Sequence, residues 1–462
     1  MTLEITEELI ARQPPEAQAI IRALLARLAE LQARLNQTPR HASLPPSSEH
    51  PHAKPKRALR RQRRKSGGQP GHAKHQRPLS PPEQCTDIQE LKPTPCRRCG
   101  QGRAGADSQP LRQQVWERPV SRPEVIAYRR HRLICPGGAT ITCAALPPGV
   151  PESPSGPRLV AFAGLRMAFF RQRKRRTAWF LETLRHQPCC PALPITMPTQ
   201  VTRALRPADD ELVATRPTPP HLGIDESPTK EAATTSWLWT FVAGLFTVFA
   251  WRDRRAATVR TELLSADYAG VVRCDRAKMY WMRGRLQWCW AHRKRDFQAL
   301  ADSDDGVVKR LGPDRMRPRP ELFRQWSRCR DGTIDRLAWK RNREPIRHTV
   351  AGLRRRGLFS GQPQWVGMCR ELYEHRGWLG TFRDEEGVEP TNKGSARALR
   401  QAVIWRKLSF GSQRRAGSRL VETMLTVIES CRQQSRKVFE YVTTAVEAHF
   451  ADQPTPSLLT RV

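Results

Sequence analysis

Between His221 and Phe297 the order of hydrophobic runs leaves few folds open, because two strand-like segments each end in an acid. Leu222-Gly223-Ile224-Asp225-Glu226-Ser227 predicts a short buried strand ending in carboxylates. Ser236 to Trp251 is dense in β-formers with a glycine near its middle, the pattern of a hairpin. A helical stretch from Ala256 to Leu264 leads to Gly270-Val271-Val272-Arg273-Cys274-Asp275, a second buried strand ending in an acid. Trp290 to Phe297 then opens a basic amphipathic helix.

Strand, hairpin, helix, strand, helix is the order of an α/β, ribonuclease-H-like core, in which the first and later strands lie side by side and present their terminal acids together. Cleaving or joining a phosphodiester requires charge to be stabilised on both the attacking and the leaving oxygen. Two divalent cations roughly 3.5–4 Å apart do this, and carboxylates hold them. A single Asp at a strand end is usually a turn residue. Two in matching positions, Asp225 and Asp275, point to a Mg²⁺ or Mn²⁺ site.

The charge of the chain narrows the substrate. Lys and Arg number 80 against 44 Asp and Glu, a formal net charge of +36, mostly Arg, whose planar fork suits phosphate. So large a charge repels itself unless a polyanion is near, which predicts a nucleic acid partner. The charge is also concentrated: Lys54 to Pro82 holds no acid but carries Lys54, Lys56, Arg57, Arg60, Arg61, Arg63, Arg64 and Lys65. Such a run cannot bury a core and reads either as a solvated tail or as an arm that meets DNA phosphates; the cysteine module beside it favours DNA. No RNA-module signature accompanies it. The N-terminus lacks an apolar signal region, and the longest apolar stretch, Trp237 to Trp251, reads as paired strands rather than a membrane span. A cytoplasmic, nucleoid-associated protein with reduced cysteines is expected, without membrane contact.

Seven segments follow from these patterns. Residues 1–37 form an N-terminal helix whose Ile21, Leu24, Leu28, Leu31 and Leu35 make either a short coiled-coil seam for a homodimer or a face packing on its own chain. Residues 38–82 are the basic linker. Residues 83–151 are a small β-rich module with a zinc-knuckle-like Cys96-Arg97-Arg98-Cys99-Gly100. Its second pair is broken, so Zn²⁺ is bound through Cys96, Cys99, Cys135 and Cys143, or with Cys85 or a His substituting, or the module folds with free thiols. Residues 152–210 are helical, with a basic group from Arg171 to Arg176 between two apolar groups, compatible with a DNA-reading unit or a plain helical domain. The core begins at 211–301, is interrupted by a helical insertion at 302–385, and is completed by 386–462. In the insertion, Trp326, Trp339, Trp365 and Trp378 are expected in the core.

The chain resembles the insertion-sequence-66 family of transposases, enzymes with an Asp-Asp-Glu site that cut and rejoin DNA. The resemblance rests on HLGIDESPTK (221–230), WLWTFVA (237–243), GVVRCDRAKMYW (270–281), LQWCWAHRKRDFQAL (286–300), EGVEPTN (386–392) and ALRQAVIWRKLSFGSQ (398–413). A helix from Ala416 to Val442 and the order of the N-terminal segments fit as well. The resemblance implies that Asp225 and Asp275 are the first two acids, that DNA (element ends and target) is the partner, and that the third acid is a Glu in a pattern resembling T-N-N-x-x-E-R-A-L-R. Here that stretch reads Thr391-Asn392-Lys393-Gly394-Ser395-Ala396-Arg397-Ala398-Leu399-Arg400, so Ala396 stands in the Glu position. A methyl group cannot ligate a metal. The resemblance therefore implies either a transposase with impaired catalysis or a non-catalytic DNA-binding remnant that regulates related elements. Glu226, Glu386 and Glu389 are the acids close enough in sequence to substitute, and Glu226 is disfavoured because successive strand residues face opposite sides. His292 is a further candidate for the site, or a helix-start residue with a structural hydrogen bond.

Overall fold

The computed structural model describes residues 7–35, 77–92, 98–101, 105–120, 122–189, 193–265, 267–281, 284–303, 306–341, 344–350 and 363–459. These fall into two compact units, one drawn from residues 1–51 and 124–462 and the other from 52–123. The Lys54–Lys65 arm and Cys96 lie outside the described residues.

In the smaller unit the described chain has little apolar cover: Leu91, Leu111, Val115 and Val120 are exposed. Its local order comes from polar and ring contacts. The Gln114 amide accepts from the Ser80 N–H and donates to the Ser80 carbonyl, each at 2.8 Å, and the Arg77 guanidinium lies over the Trp116 ring at 4.8 Å.

The larger unit opens with α1 (Glu7–Ala11) and α2 (Pro15–Leu35). On α2, Leu24 and Leu28 are more than half exposed. The cysteine segment contributes a two-stranded ribbon, β1 (Arg132–Ile134) and β2 (Ile141–Cys143). Three helices follow: α3 (Pro157–Ala168), α4 (Lys174–Arg185) and α5 (Leu193–Thr215). Helix α5 runs across the expected boundary at residue 210 and leads straight into the sheet.

That sheet has five strands: β3 (His221–Glu231), β4 (Thr234–Val242), β5 (Thr247–Arg252), β6 (Val271–Cys274) and β7 (Arg285–Trp288), in the order β5-β4-β3-β6-β7. The β3–β4 and β4–β5 pairs are antiparallel, and β3–β6 and β6–β7 are parallel. The hairpin read from Ser236 to Trp251 is β4–β5. Strand β7 is a strand the sequence did not announce. Strand β3 is longer than expected: it pairs with β6 only over His221–Gly223, yet β4 carries it on to Glu231. The acids at 225 and 226 are therefore inside a long strand, at the level where its parallel neighbour ends.

Helix α6 (Ala257–Leu264) crosses from β5 to β6, and α7 (Trp290–Ala301) follows β7. The insertion is helical as expected: α8 (Gly306–Met316), α9 (Arg319–Arg330), α10 (Arg336–Arg341), α11 (Glu344–Val350), α12 (Pro363–Glu374) and the single turn α13 (Thr381–Asp384). Trp339 is buried, and Trp326, Trp365 and Trp378 pack partly buried on the core. The chain then returns through α14 (Lys393–Ser409), α15 (Arg415–Gln433) and α16 (Val438–Phe450). The single helix read from Ala416 to Val442 is thus two, broken at Ser435, whose φ is +56°. Among the described residues no helix is long and apolar enough to cross a membrane.

Helix α15 closes the exposed edge of β5. Alternate strand N–H groups donate to its side chains: Thr247 to Ser430 Oγ at 3.1 Å, Phe249 to Thr426 Oγ1 at 3.0 Å and Trp251 to Glu422 Oε1 at 3.0 Å. Two strand residues advance about 6.8 Å and four helix residues about 6 Å, so spacings of two and four stay in step. An edge that would otherwise invite pairing with another chain is covered.

Candidate active site

The β3–β6 register sets His221 opposite Val271, Leu222 opposite Val272 and Gly223 opposite Arg273. Continued by two residues, it sets Asp225 opposite Asp275, on neighbouring parallel strands where β6 stops. Both are partly buried. Asp275 Oδ1 accepts from the Ala277 N–H at 2.8 Å, which fixes the turn leaving β6. Burial pushes the Asp225 carboxyl well above the usual carboxylate range, and the charges of Glu226 and Asp275 push the same way. The two acids read from the sequence as a pair are a pair in space, held close enough to repel.

Glu226 joins them electrostatically. Its side chain is turned toward Arg255, at 2.7 Å, and toward the Tyr280 hydroxyl, which donates to Oε2. Its pKa is nevertheless raised, by burial and then by Asp275, against the pull of Arg255. Alternation along the strand sends Glu226 to the far side of β3, but not out of range of Asp275. Glu389 goes elsewhere: its charge acts on His221 and Arg273, toward the other end of the β3–β6 pair.

His292 lies within electrostatic reach of both acids. Burial by itself would lower its pKa. The side-chain hydrogen bond and charge of Cys289, with the charges of Asp275 and Asp225, outweigh burial and raise it. Cys289 is buried, which alone would raise its thiol, yet the His292 hydrogen bond and charge bring it down to about 7. Cys289 Sγ also accepts from the Asn392 N–H at 3.2 Å, so the β7–α7 corner touches the chain just before α14.

The first turn of α14, where the third acid is expected, is anchored firmly. The Asn392 side-chain amide donates to the Ile224 carbonyl at 2.6 Å, one residue before Asp225. Ser395 Oγ donates to Asn392 Oδ1 at 2.7 Å, and Thr391, Asn392 and Ser395 are all buried. The approach is so close that a Cβ on Gly223 would lie 2.4 Å from Ser395 Oγ and 2.6 Å from Asn392 Oδ1. At the other end of the helix, Arg406 donates to Ser227 Oγ at 3.1 Å and to the Pro228 carbonyl. Ala396 and Lys393 are exposed on the turn so fixed. Among the described residues no three His, Cys, Asp or Glu side chains are grouped to hold a metal ion.

Cys99 is exposed in the smaller unit. In the larger unit Cys143 stands opposite Arg132 on the β1–β2 ribbon, whereas the Cys135 N–H bonds to the Thr140 carbonyl at the turn. These two thiols lie at opposite ends of a three-residue ladder, about 10 Å of strand apart.

A five-stranded mixed sheet with a carboxylate pair at the end of its central parallel strands defines an α/β protein. Matching the chain to family models identifies that protein further: the transposase IS66 family covers residues 176–420, more than half of the sequence, and the chain belongs to it. A family of unknown function, DUF6444, covers residues 5–78. No curated protein matches the chain.

Proposed function

We infer that the chain acts on DNA at the ends of an insertion sequence, with a ribonuclease-H-like core built for phosphodiester cleavage and strand transfer and weakened at its third acid. The observation that carries this reading is the juxtaposition of Asp225 and Asp275 across the β3–β6 register, beside an α14 turn that keeps its anchors and lacks its carboxylate.

Two carboxylates on neighbouring strand ends, with the charge of Asp275 raising the proton affinity of Asp225, suit a divalent cation, and Mg²⁺ or Mn²⁺ commonly takes one or two carboxylates and completes its shell with water and phosphate oxygens. Asp225 and Asp275 would hold one such ion; Ala396 gives a second no side-chain ligand. Bound there, the metal would supply Lewis-acid stabilisation of phosphate oxygens. The residues of the chain have separate tasks. Asp225 and Asp275 supply negative charge at a fixed spacing, and Arg255 with Tyr280 keeps Glu226 turned aside. His292, its pKa raised by Cys289 and by the charges of Asp275 and Asp225, adds positive character near the acid pair. The exposed Leu24 and Leu28 on α2 leave a face for a second copy of that helix.

The second reading is a DNA-binding protein without chemistry that regulates related elements, and the exposed methyl of Ala396 favours it. Nicking of a supercoiled plasmid carrying the element's inverted repeats separates the two. Divalent-dependent nicking that Asp275→Ala removes is expected for the impaired enzyme. Binding with no nicking, unchanged in Ala396→Glu, would leave the binder and overturn the metal-core reading.

A further inference from the structure

Two long stretches of the chain carry many cations and no acid: residues 153–181, with seven Arg or Lys, and residues 390–421, with eight. They are far apart in sequence and meet in the structure. Arg171 at the α3–α4 turn, its φ at +58°, donates to Gln401 Oε1 on α14 at 2.9 Å, and Arg173 donates to the Leu408 carbonyl at 3.4 Å. Beside this junction Arg173, Lys174, Arg175 and Arg176 are exposed.

Helix α14 brings a second set. Lys393, Arg397, Arg400 and Lys407 are exposed, at spacings of four, three and seven, which put them on one face of the helix. None of the four is paired with a carboxylate among the described residues. The stripe starts in the turn anchored beside Asp225 and ends where Arg173 bonds to Leu408. Cations in a row repel each other, and Lys174, Arg175 and Arg176 sit in the first turn of α4, at the positive end of its dipole.

We propose that this ridge, running from the acid pair along α14 to the α3–α4 turn, is a binding track for the phosphate backbone of duplex DNA. This rests on the DNA-processing reading and adds to it a location among the described residues of the larger unit. The track leads DNA across the exposed face of the turn that carries Ala396 and so delivers a phosphate to the strand ends. Its contacts are with phosphates rather than bases, so binding through it is insensitive to sequence and sensitive to salt.

The test uses the full chain and a fluorescein-labelled 30-base-pair duplex of arbitrary sequence, followed by anisotropy across a salt series. Two triple variants remove the track: Arg397→Gln/Arg400→Gln/Lys407→Gln and Lys174→Gln/Arg175→Gln/Arg176→Gln. A charge-matched control, Lys309→Gln/Arg310→Gln/Arg328→Gln, changes exposed cations of α8 and α9. All substituted side chains are exposed, and circular dichroism verifies the fold. Each track variant is expected to flatten the slope of log affinity against log salt by about 2.7, three contacts at about 0.9 each, and to weaken binding about 100-fold near 0.1 M salt. Track variants that match the control would overturn the proposal and leave the DNA reading standing. A parent chain that binds no duplex would overturn both.

Discussion

The larger unit holds two places where acids are pressed together, and they are built differently. Asp225 and Asp275 meet at the end of β6, with Asp225 pushed up by burial and by its acidic neighbours and, among the described residues, the Glu226 N–H alone donating to its Oδ1. Asp209 and Glu422 meet inside the packing of α5 against α15. There, Glu422 takes the Trp251 N–H and Arg419, and Asp209 Oδ2 takes the Thr423 hydroxyl at 2.9 Å. Burial and Glu422 push Asp209 up to about 6. The enclosed pair resolves its repulsion with neighbouring donors and a shifted proton. At the strand end Asp225 is raised as well, but among the described residues the hydrogen-bond donors are backbone only, the Glu226 N–H on Asp225 and the Ala277 N–H on Asp275. Close acids are therefore not in themselves a sign of a site; the two pairs differ in that side-chain donors reach one, while among the described residues backbone N–H groups alone donate to the other.

The contrast can be broken most sharply at position 396. Ala396→Glu adds the carboxylate that the strand ends lack, and divalent-dependent nicking is expected to rise about 100-fold or more, since even supporting groups around a metal cost 10–100-fold when lost. The same substitution in an Asn392→Ala background is expected to lose most of that gain, because the anchor that aims the turn is gone; an undiminished gain would show that Asn392 does not position it.

A smaller effect separates the pairs by their response to a cation. A carboxylate whose folded pKa is raised contributes stability at low pH and loses it as pH rises above the ordinary carboxylate range. Asp225→Asn is therefore expected to raise the thermal midpoint at pH 8 in EDTA by several degrees. Mg²⁺ should raise the midpoint of the parent and not that of the variant.

At the enclosed pair the same sign applies without metal. The parent should lose on the order of 2 kcal/mol between pH 4 and about 6 from Asp209, which urea unfolding of Asp209→Asn would recover at pH 7.5 and not at pH 4. The smallest effect is Thr423→Val, which removes the hydroxyl donor. It should cost about 1 kcal/mol at pH 7.5 and less at pH 5, where Asp209 carries its own proton.

Much of this arrangement was legible in the sequence. Hydrophobic runs that end in Asp225 and Asp275 announce strands with acids at one level, and the glycine within Ser236–Trp251 announces the hairpin. What escaped has physical reasons. Strand β7 is four residues long, too short for a period to show. The continuation of β3 through Glu226-Ser227-Pro228-Thr229-Lys230-Glu231 is polar, and only its pairing with β4 makes it a strand. The break at Ser435 depends on a left-handed backbone that no glycine marks. Glu226 looked averted because side chains alternate, but its charge reaches Asp275 across a distance alternation does not control. The α14 stripe was readable as spacing, yet its union with the α3–α4 turn depends on an Arg171–Gln401 contact 230 residues apart in sequence.

The Asn392 anchor also has a genetic consequence. Alanine and glutamate codons that end in a purine differ by one base, and the side chain at 396 makes no contact that the anchor needs. On the reading of a silenced enzyme, the turn remains preset for the missing carboxylate. So long as Asn392 holds Ile224, reversion at that single codon restores a ligand without any rebuilding of the fold.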